Sequence, residues 1–448
     1  MLNDLTVGKP SKIILQFSLP LLLSTALQQV YNIADSVIVG QLTGSHGLAA
    51  IGAPYPITLF FVAVATGASM GCSVVISQLF GAKKMEELKT SVYTAVLALS
   101  VLGVLLAGAG MALAGPLMRL LNAREDIFAD AVSYLRIYAL GVIPMMVYNT
   151  ANAIFTGLGD SKRPLYFLML SSLLNIVLDY IAVGPMGLGV AGAAWATAFS
   201  QAVAAVLSAV IILRKVSALH TEAKPKVFDT AMLARMARIG LPAIFQQASV
   251  AFAHTIVQSL VNTFDTAVVA GYEVSNKINT VIYSSLNTLG TALSSYVAQC
   301  YGAKDFRRIR EGFKFSYLMC LVVTVFIIFF AQLFPAQIMS IFVPKGSEEA
   351  VIEVGVNYLR IISPVYLLIT VIISTGGLLR GLGHSMTFFL ETLAEFTVRV
   401  SMCFVLVGLL DSYTGVMWAW YFGSSVGCAL CLWLYRRVMK KEVLPYIQ

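Results

Sequence analysis

The chain has 448 residues, 58% hydrophobic and 12% charged, with a formal net charge of +8 and a mean hydropathy of +0.83. Soluble domains average about 25% charged residues, so this composition excludes a soluble globular protein and points to an all-α polytopic membrane protein. The six cysteines all fall in apolar runs and read as buried thiols rather than a disulfide framework.

A membrane-crossing helix needs about 20 mostly apolar residues. Twelve are expected, near residues 13–40, 54–80, 91–115, 133–157, 164–184, 188–213, 238–263, 267–300, 313–334, 355–380, 385–409 and 413–435. Met1–Lys12 is polar, and the first apolar run is too long for a cleavable signal peptide. That run holds Pro20, which cannot donate to the helix ladder and bends it. It also holds Asp35, a carboxylate that costs roughly 2.5–3.5 kcal/mol on insertion scales when it sits at mid-helix. Such residues mark ion or substrate paths. Connections after even-numbered spans are basic, as in Lys83, Lys84 and Lys89, or Lys304, Arg307, Arg308 and Arg310, whereas the odd ones carry only Arg119, Arg124 and Lys345. By the positive-inside rule both termini are cytoplasmic. The basic charge sets orientation and binds anionic headgroups of the lipid bilayer, and nucleic acid is not needed to explain it.

The halves repeat. Leu19-Pro20 recurs as Leu241-Pro242, Gln78-Leu-Phe-Gly81-Ala-Lys83 as Gln299-Cys-Tyr-Gly302-Ala-Lys304, Tyr134-Leu-Arg-Ile137 as Tyr358-Leu-Arg-Ile361, and Gly157-Leu-Gly159 as Gly381-Leu-Gly383, at offsets of 221–224. Six spans per half, an even number, make the repeat parallel, with an axis along the membrane normal. The expected domains are an N-lobe (1–215, spans one to six, with a cation site), a cytoplasmic linker (216–235) and a C-lobe (236–448) around a central cavity.

Gly187-Leu-Gly189-Val-Ala-Gly192 matches the dinucleotide fingerprint, but it lies between two membrane spans with no strand before it and reads as a tight turn. Cys428-Ala-Leu-Cys431 has redox spacing inside the last span without a thioredoxin-like context. Gly67-x-x-x-Gly71 and Gly423-x-x-x-Gly427 allow close helix packing. The repeated Gly-Ala-Lys turns read as helix stops and topology signals. No P-loop, HExxH or Ser/His/Asp pattern is present, so no enzyme and no cofactor is expected.

Asn175 and Asp179 share one face of span five at i, i+4. Asp179 lies five residues before Gly184 and Asp35 five before Gly40, so both sit roughly 8 Å inside the outer ends of their helices. Thr197, two and a half turns down span six, approaches the same depth. Two acids, an amide and a hydroxyl suit a hard cation or one shared proton; a structural hydrogen-bond network is the alternative. Tyr31, Asn32, Tyr134, Asn149 and Asn152 are candidates for the surrounding shell or substrate contact. In the second half Asp35 maps near Val257 and Asp179 near Cys403, so this pair exists once. Glu273 with Lys277 and Glu395 with Arg399, both at i, i+4, either neutralise each other or line a cavity, for which Glu273, Lys277 and Arg399 are the candidates. His254 reads as a packing residue.

Twelve spans in two six-helix repeats, Leu-Pro opening span one, Asp35 at its outer end and Asn175-x-x-x-Asp179 in span five resemble the multidrug and toxic compound extrusion (MATE) family over essentially the whole chain. In its DNA-damage-inducible and archaeal-like branch, the positions matching Asp35, Asn175, Asp179 and Thr197 form an N-lobe cation site. Tyr31, Tyr134, Asn149 and Asn152 match its polar network, and Pro20 the bend in span one. The acid that the vibrio-type branch carries on span seven corresponds to about Val250 here, so a C-lobe sodium site is not expected. The resemblance implies an antiporter that exports small organic, often cationic, compounds in exchange for Na⁺ or H⁺. It would be a cell-membrane protein and a monomer. The nearest rival is a lipid-linked-precursor flippase of the same superfamily, which wants a strongly cationic cavity; here the intramembrane cations are few.

Overall fold

A computed structural model describes residues 3–221, 223–342 and 349–447. Among these residues every regular element is helical: α1 (Pro10–Gly52), α2 (Tyr55–Gly81), α3 (Met85–Leu120), α4 (Glu125–Gly157), α5 (Lys162–Val183), α6 (Gly189–Ser217) and α7 (Thr230–Val261) come first. Then follow α8 (Thr266–Gly302), α9 (Phe306–Leu333), α10 (Pro335–Phe342), α11 (Glu349–Ile362), α12 (Tyr366–Leu382), α13 (Ser385–Leu410) and α14 (Thr414–Val438). Helices α11 and α12 run on through a single 3₁₀ turn, Ser363–Val365, as one span. With α10 too short to cross, this gives twelve membrane-crossing segments. Ten of them are apolar enough to be recognised by composition alone, whereas α7 and α8 are as long but carry more polar side chains, among them Arg235, Arg238, Glu273 and Lys277. Lys345, in the connection before α11, lies outside the described residues.

Helix α1 keeps helical geometry through Pro20, and its carbonyl accepts from the Ser24 hydroxyl at 2.9 Å. The break comes at Gly44, with φ +67° and ψ −166°, a conformation open to glycine because it has no Cβ. Equivalent turns close the repeated helices. Lys83 and Lys304, after α2 and α8, sit at φ +59° and +58°. In each case the next amide reaches back to a carbonyl five residues earlier, Lys84 N to Leu79 O at 3.1 Å and Asp305 N to Cys300 O at 2.9 Å. That pattern is the left-handed C-terminal cap, and it shows the repeat in the backbone itself.

The chain forms two compact units, one holding Gln16–Ala248 and the other Leu5–Leu15 with Ser249 onward. The leading turns of α1 therefore belong with the second unit and the leading half of α7 with the first. The repeated glutamines hold these leaders. In the second unit Gln299 Oε1 accepts from the Leu5 amide at 2.9 Å, and Arg308 donates to Gly8 O at 2.7 Å. In the first unit Gln78 Oε1 accepts from Arg235 of α7 at 2.8 Å. Ahead of it, the Lys226 and Asp229 amides donate to Thr90 and Thr94 of α3. Asp229 caps α7 by accepting from the Ala231 and Met232 amides. Its hydrogen bond from Lys226, with those amides, holds its carboxyl below the usual range. The Gly67–Gly71 face of α2 lets α7 approach so closely that a Cβ at either glycine would fall within 2.5 Å of α7 backbone atoms.

Candidate functional site

The candidate site lies wholly in the first unit, where α5 and α6 form a hairpin. Gly192 on α6 faces the Ala182 carbonyl of α5, and a Cβ there would be 3.0 Å from that oxygen. This close approach brings Asn175 Nδ2 to 3.4 Å from Thr197 Oγ1, while the Thr197 hydroxyl donates to Ala193 O at 3.1 Å. Asp179, one turn further along the same face, is 0% exposed, and Asn175 is 1% exposed. Val39, Val183 and Ala193 pack together beside them.

Asp35 of α1 is half-buried and close enough to Asp179 for the two carboxyl groups to interact. Neither Asp179 oxygen has a hydrogen-bond partner of good geometry, and the same is true of Asn175 Oδ1. Buried polar oxygens are almost always satisfied, and those left open ask for an explanation. Three open oxygens, with the Thr197 hydroxyl beside them, are oxygen donors of the kind that a hard monovalent cation takes, and a carboxylate among them can hold a proton. They fit either ion.

Tyr31 and Tyr134 both lie within electrostatic reach of Asp35 and Asp179. Tyr138, one turn after Tyr134, joins them, with the two rings stacked at 6.0 Å and 28°. Sequence reasoning passed over Tyr138; its i, i+4 spacing from Tyr134 was the available signal. The rest of the expected shell is not joined to the acids. Asn32 is exposed, Asn149 donates to its own helix at Met145 O (2.8 Å), and Asn152 has no hydrogen bond to either aspartate.

The second-half candidates separate. Lys277 is exposed and Glu273 half-buried, and no ion pair joins them. Arg399 is 4% exposed and does not pair with Glu395; its guanidinium lies 4.1 Å from the Phe396 ring centre and 4.2 Å from that of Trp420. Self-neutralisation is therefore replaced by an aromatic clamp, because two ring faces hold a cation in a dry setting. The Gly187–Gly189 stretch is a turn with φ +64° and +53° between α5 and α6, with no strand before it. All six cysteines are free and buried.

The MatE family model matches residues 20–181 and again 242–405, each match opening at a proline of the repeated Leu-Pro pair. The chain is 30% identical over 337 residues, 73% of each protein, to the probable multidrug resistance protein YoeA of Bacillus subtilis (strain 168). It is 25% identical over 428 residues, covering 95% of this chain and 93% of the relative, to the probable multidrug resistance protein YpnP of the same organism. Among solved structures it is similar to a MATE crystallised in complex with MaL6, with a TM-score of 0.90, 25% identity and 98% of both chains covered.

Proposed function

Because the chain belongs to the MatE family of membrane transporters, we propose that it exports small organic, often cationic, compounds across the cell membrane by alternating access, driven by counter-movement of Na⁺ or H⁺. The observation that carries this reading is the group of open buried oxygens of Asp179 and Asn175, with Asp35 and Thr197 beside them. An ion bound there replaces the missing partners and neutralises buried carboxylate charge, which would otherwise cost several kcal/mol per unpaired ion. Asp35 comes from α1 and Asp179 from α5, so an ion between them ties two helices together. Coupling requires that the ion bind one conformation better than another, and a site split between two helices meets that condition when either moves.

In this reading Asp35 and Asp179 are the coupling acids, Asn175 and Thr197 their oxygen partners, and Tyr31 and Tyr134 the polar wall. Pro20 lets α1 flex, since it lacks one ladder hydrogen bond. The N-lobe and C-lobe carry the alternating movement, and both termini face the cytoplasm. Dye efflux from proteoliposomes, under Na⁺ and H⁺ gradients imposed separately, tests it. Efflux under one gradient, absent in Asp35→Asn, names the coupling ion and supports the site. Undiminished efflux by Asp35→Asn removes Asp35 from the mechanism, and no efflux under either gradient removes the drug-antiport reading.

A further inference from the structure

Helix α13 carries Glu391, Glu395 and Arg399 at successive i, i+4 positions, hence on one face. All three are buried, at 2%, 7% and 4% exposure. That face packs on α14 at Gly423 and Gly427. A Cβ at Gly423 would lie 2.6 Å from Arg399 Cβ and 3.0 Å from Glu395 O; one at Gly427 would lie 2.8 Å from Glu391 Oε1 and 3.3 Å from Glu395 Cγ. Both acidic side chains thus occupy one slot, which exists because two glycines leave it open.

The cations nearby are turned away. Arg399 is clamped between Phe396 and Trp420. Arg380 of α12 lies over the Phe388 ring at 5.2 Å, and its Nε and Nη2 have no hydrogen-bond partner. Neither arginine forms an ion pair with either glutamate among the described residues. Glu391 Oε1 has no hydrogen-bond partner of good geometry, its Oε2 accepts from the Thr392 hydroxyl at 3.4 Å, and the Cys431 thiol of α14 lies within hydrogen-bonding reach of the carboxyl. The other titratable groups in electrostatic reach are Tyr283 of α8, which faces both acids and both arginines, and Cys428 and Cys431 of α14, with His254 of α7, Tyr272 of α8, Tyr358 of α11 and Cys403 of α13 beside Arg399. None of the groups from α8 or α14 supplies a positive charge.

We propose that Glu391 and Glu395 form a proton-binding site of the second unit, the pair sharing one exchangeable proton taken from and returned to water. Arg399 acts on Glu395 only through space, without an ion pair, and two buried carboxylates with no paired cation are too costly to keep ionised side by side. A proton on one removes a charge and supplies the O–H donor that Glu391 Oε1 lacks. Loss of that proton leaves a charge within two turns of Arg399, able to draw the guanidinium from its clamp. The site is separate from Asp35 and Asp179 and does not rest on their role in coupling.

Infrared spectroscopy of the full-length protein in lipid tests this in an Asp35→Asn/Asp179→Asn background, which removes the other acid pair. The expected result is a protonated-carboxyl C=O band at neutral pH that shifts in D₂O, fades on titration to alkaline pH, and is lost in Glu391→Gln or Glu395→Gln. Absence of the band in that background, or a band unchanged by both substitutions, overturns the proposal. Should the glutamine variants fail to fold, Gly427→Ala reads the same site, because its methyl group lies against both acids: the band must shift or change its titration, and an unmoved band counts against the proposal.

Discussion

The two acid pairs inside the spans of this protein are built in opposite ways. Asp35 and Asp179 come from α1 and α5, helices separated by more than a hundred residues, and meet only because the first unit folds around them. Glu391 and Glu395 come from adjacent turns of α13 and are seated in a slot of its neighbour α14. A pair shared between two helices changes its spacing whenever one helix moves, so its affinity for an ion can report conformation. A pair on one helix keeps its spacing and responds to what surrounds it. The first arrangement suits coupling, and the second a fixed proton store.

The largest expected effect breaks the first pair. Asp35→Asn or Asp179→Asn is expected to reduce gradient-driven efflux to the level of empty liposomes while leaving insertion and thermal unfolding close to wild type; efflux assays beside melting curves check both. Filling the slot of the second pair comes next. Gly427→Leu drives a side chain into Glu391 and Glu395, and overpacking of this kind costs about 1–3 kcal/mol, read as a lowered unfolding midpoint in detergent. Gly408→Ala on the same α13 has nothing within 4 Å of its new methyl. It is expected to gain about 0.5–1 kcal/mol from helix propensity. Equal effects of the two glycine substitutions would show that the slot is not tightly packed.

A smaller effect sharpens the ligand set. Asn175→Ala removes the open Oδ1 and is expected to raise the driving-ion concentration for half-maximal efflux by about tenfold, equivalent to ~1.4 kcal/mol, with the maximal rate retained. An unchanged requirement would take Asn175 out of the site. The smallest concerns the repeated glutamines: Gln299→Ala leaves the Leu5 amide without its acceptor and should cost about 1 kcal/mol of stability, measured by denaturation.

Much of this was readable in the sequence, for physical reasons. A carboxylate in a hydrocarbon-length helix is expensive enough to stand out, and the i, i+4 rule placed Asn175 beside Asp179. Ten of the twelve spans stand out by apolar length, and the repeat of the halves points to the other two. What escaped depended on neighbours distant in the chain. The spacing of Glu395 and Arg399 suggested an ion pair, but Trp420, on another helix, takes the guanidinium instead. Glu391 is also a carboxylate inside an expected span, but its sharing of a slot with Glu395 depends on Gly427 of another helix. The break at Gly44 was hidden because glycine is common in membrane helices, and only the φ of +67° distinguishes this one. The repeated Gln-x-x-Gly-Ala-Lys segments read as helix stops, and their caps are that. Their glutamines also hold the leaders of α1 and α7, which pattern alone does not disclose.

The most direct measurement of the central claim is substrate-driven ion uptake. Proteoliposomes loaded with a transported dye are diluted into dye-free buffer, and entry of Na⁺ or H⁺ is followed for wild type and Asp179→Asn. The account predicts ion entry in step with dye exit for the wild type and none for the variant. Ion entry that persists in Asp179→Asn would contradict it.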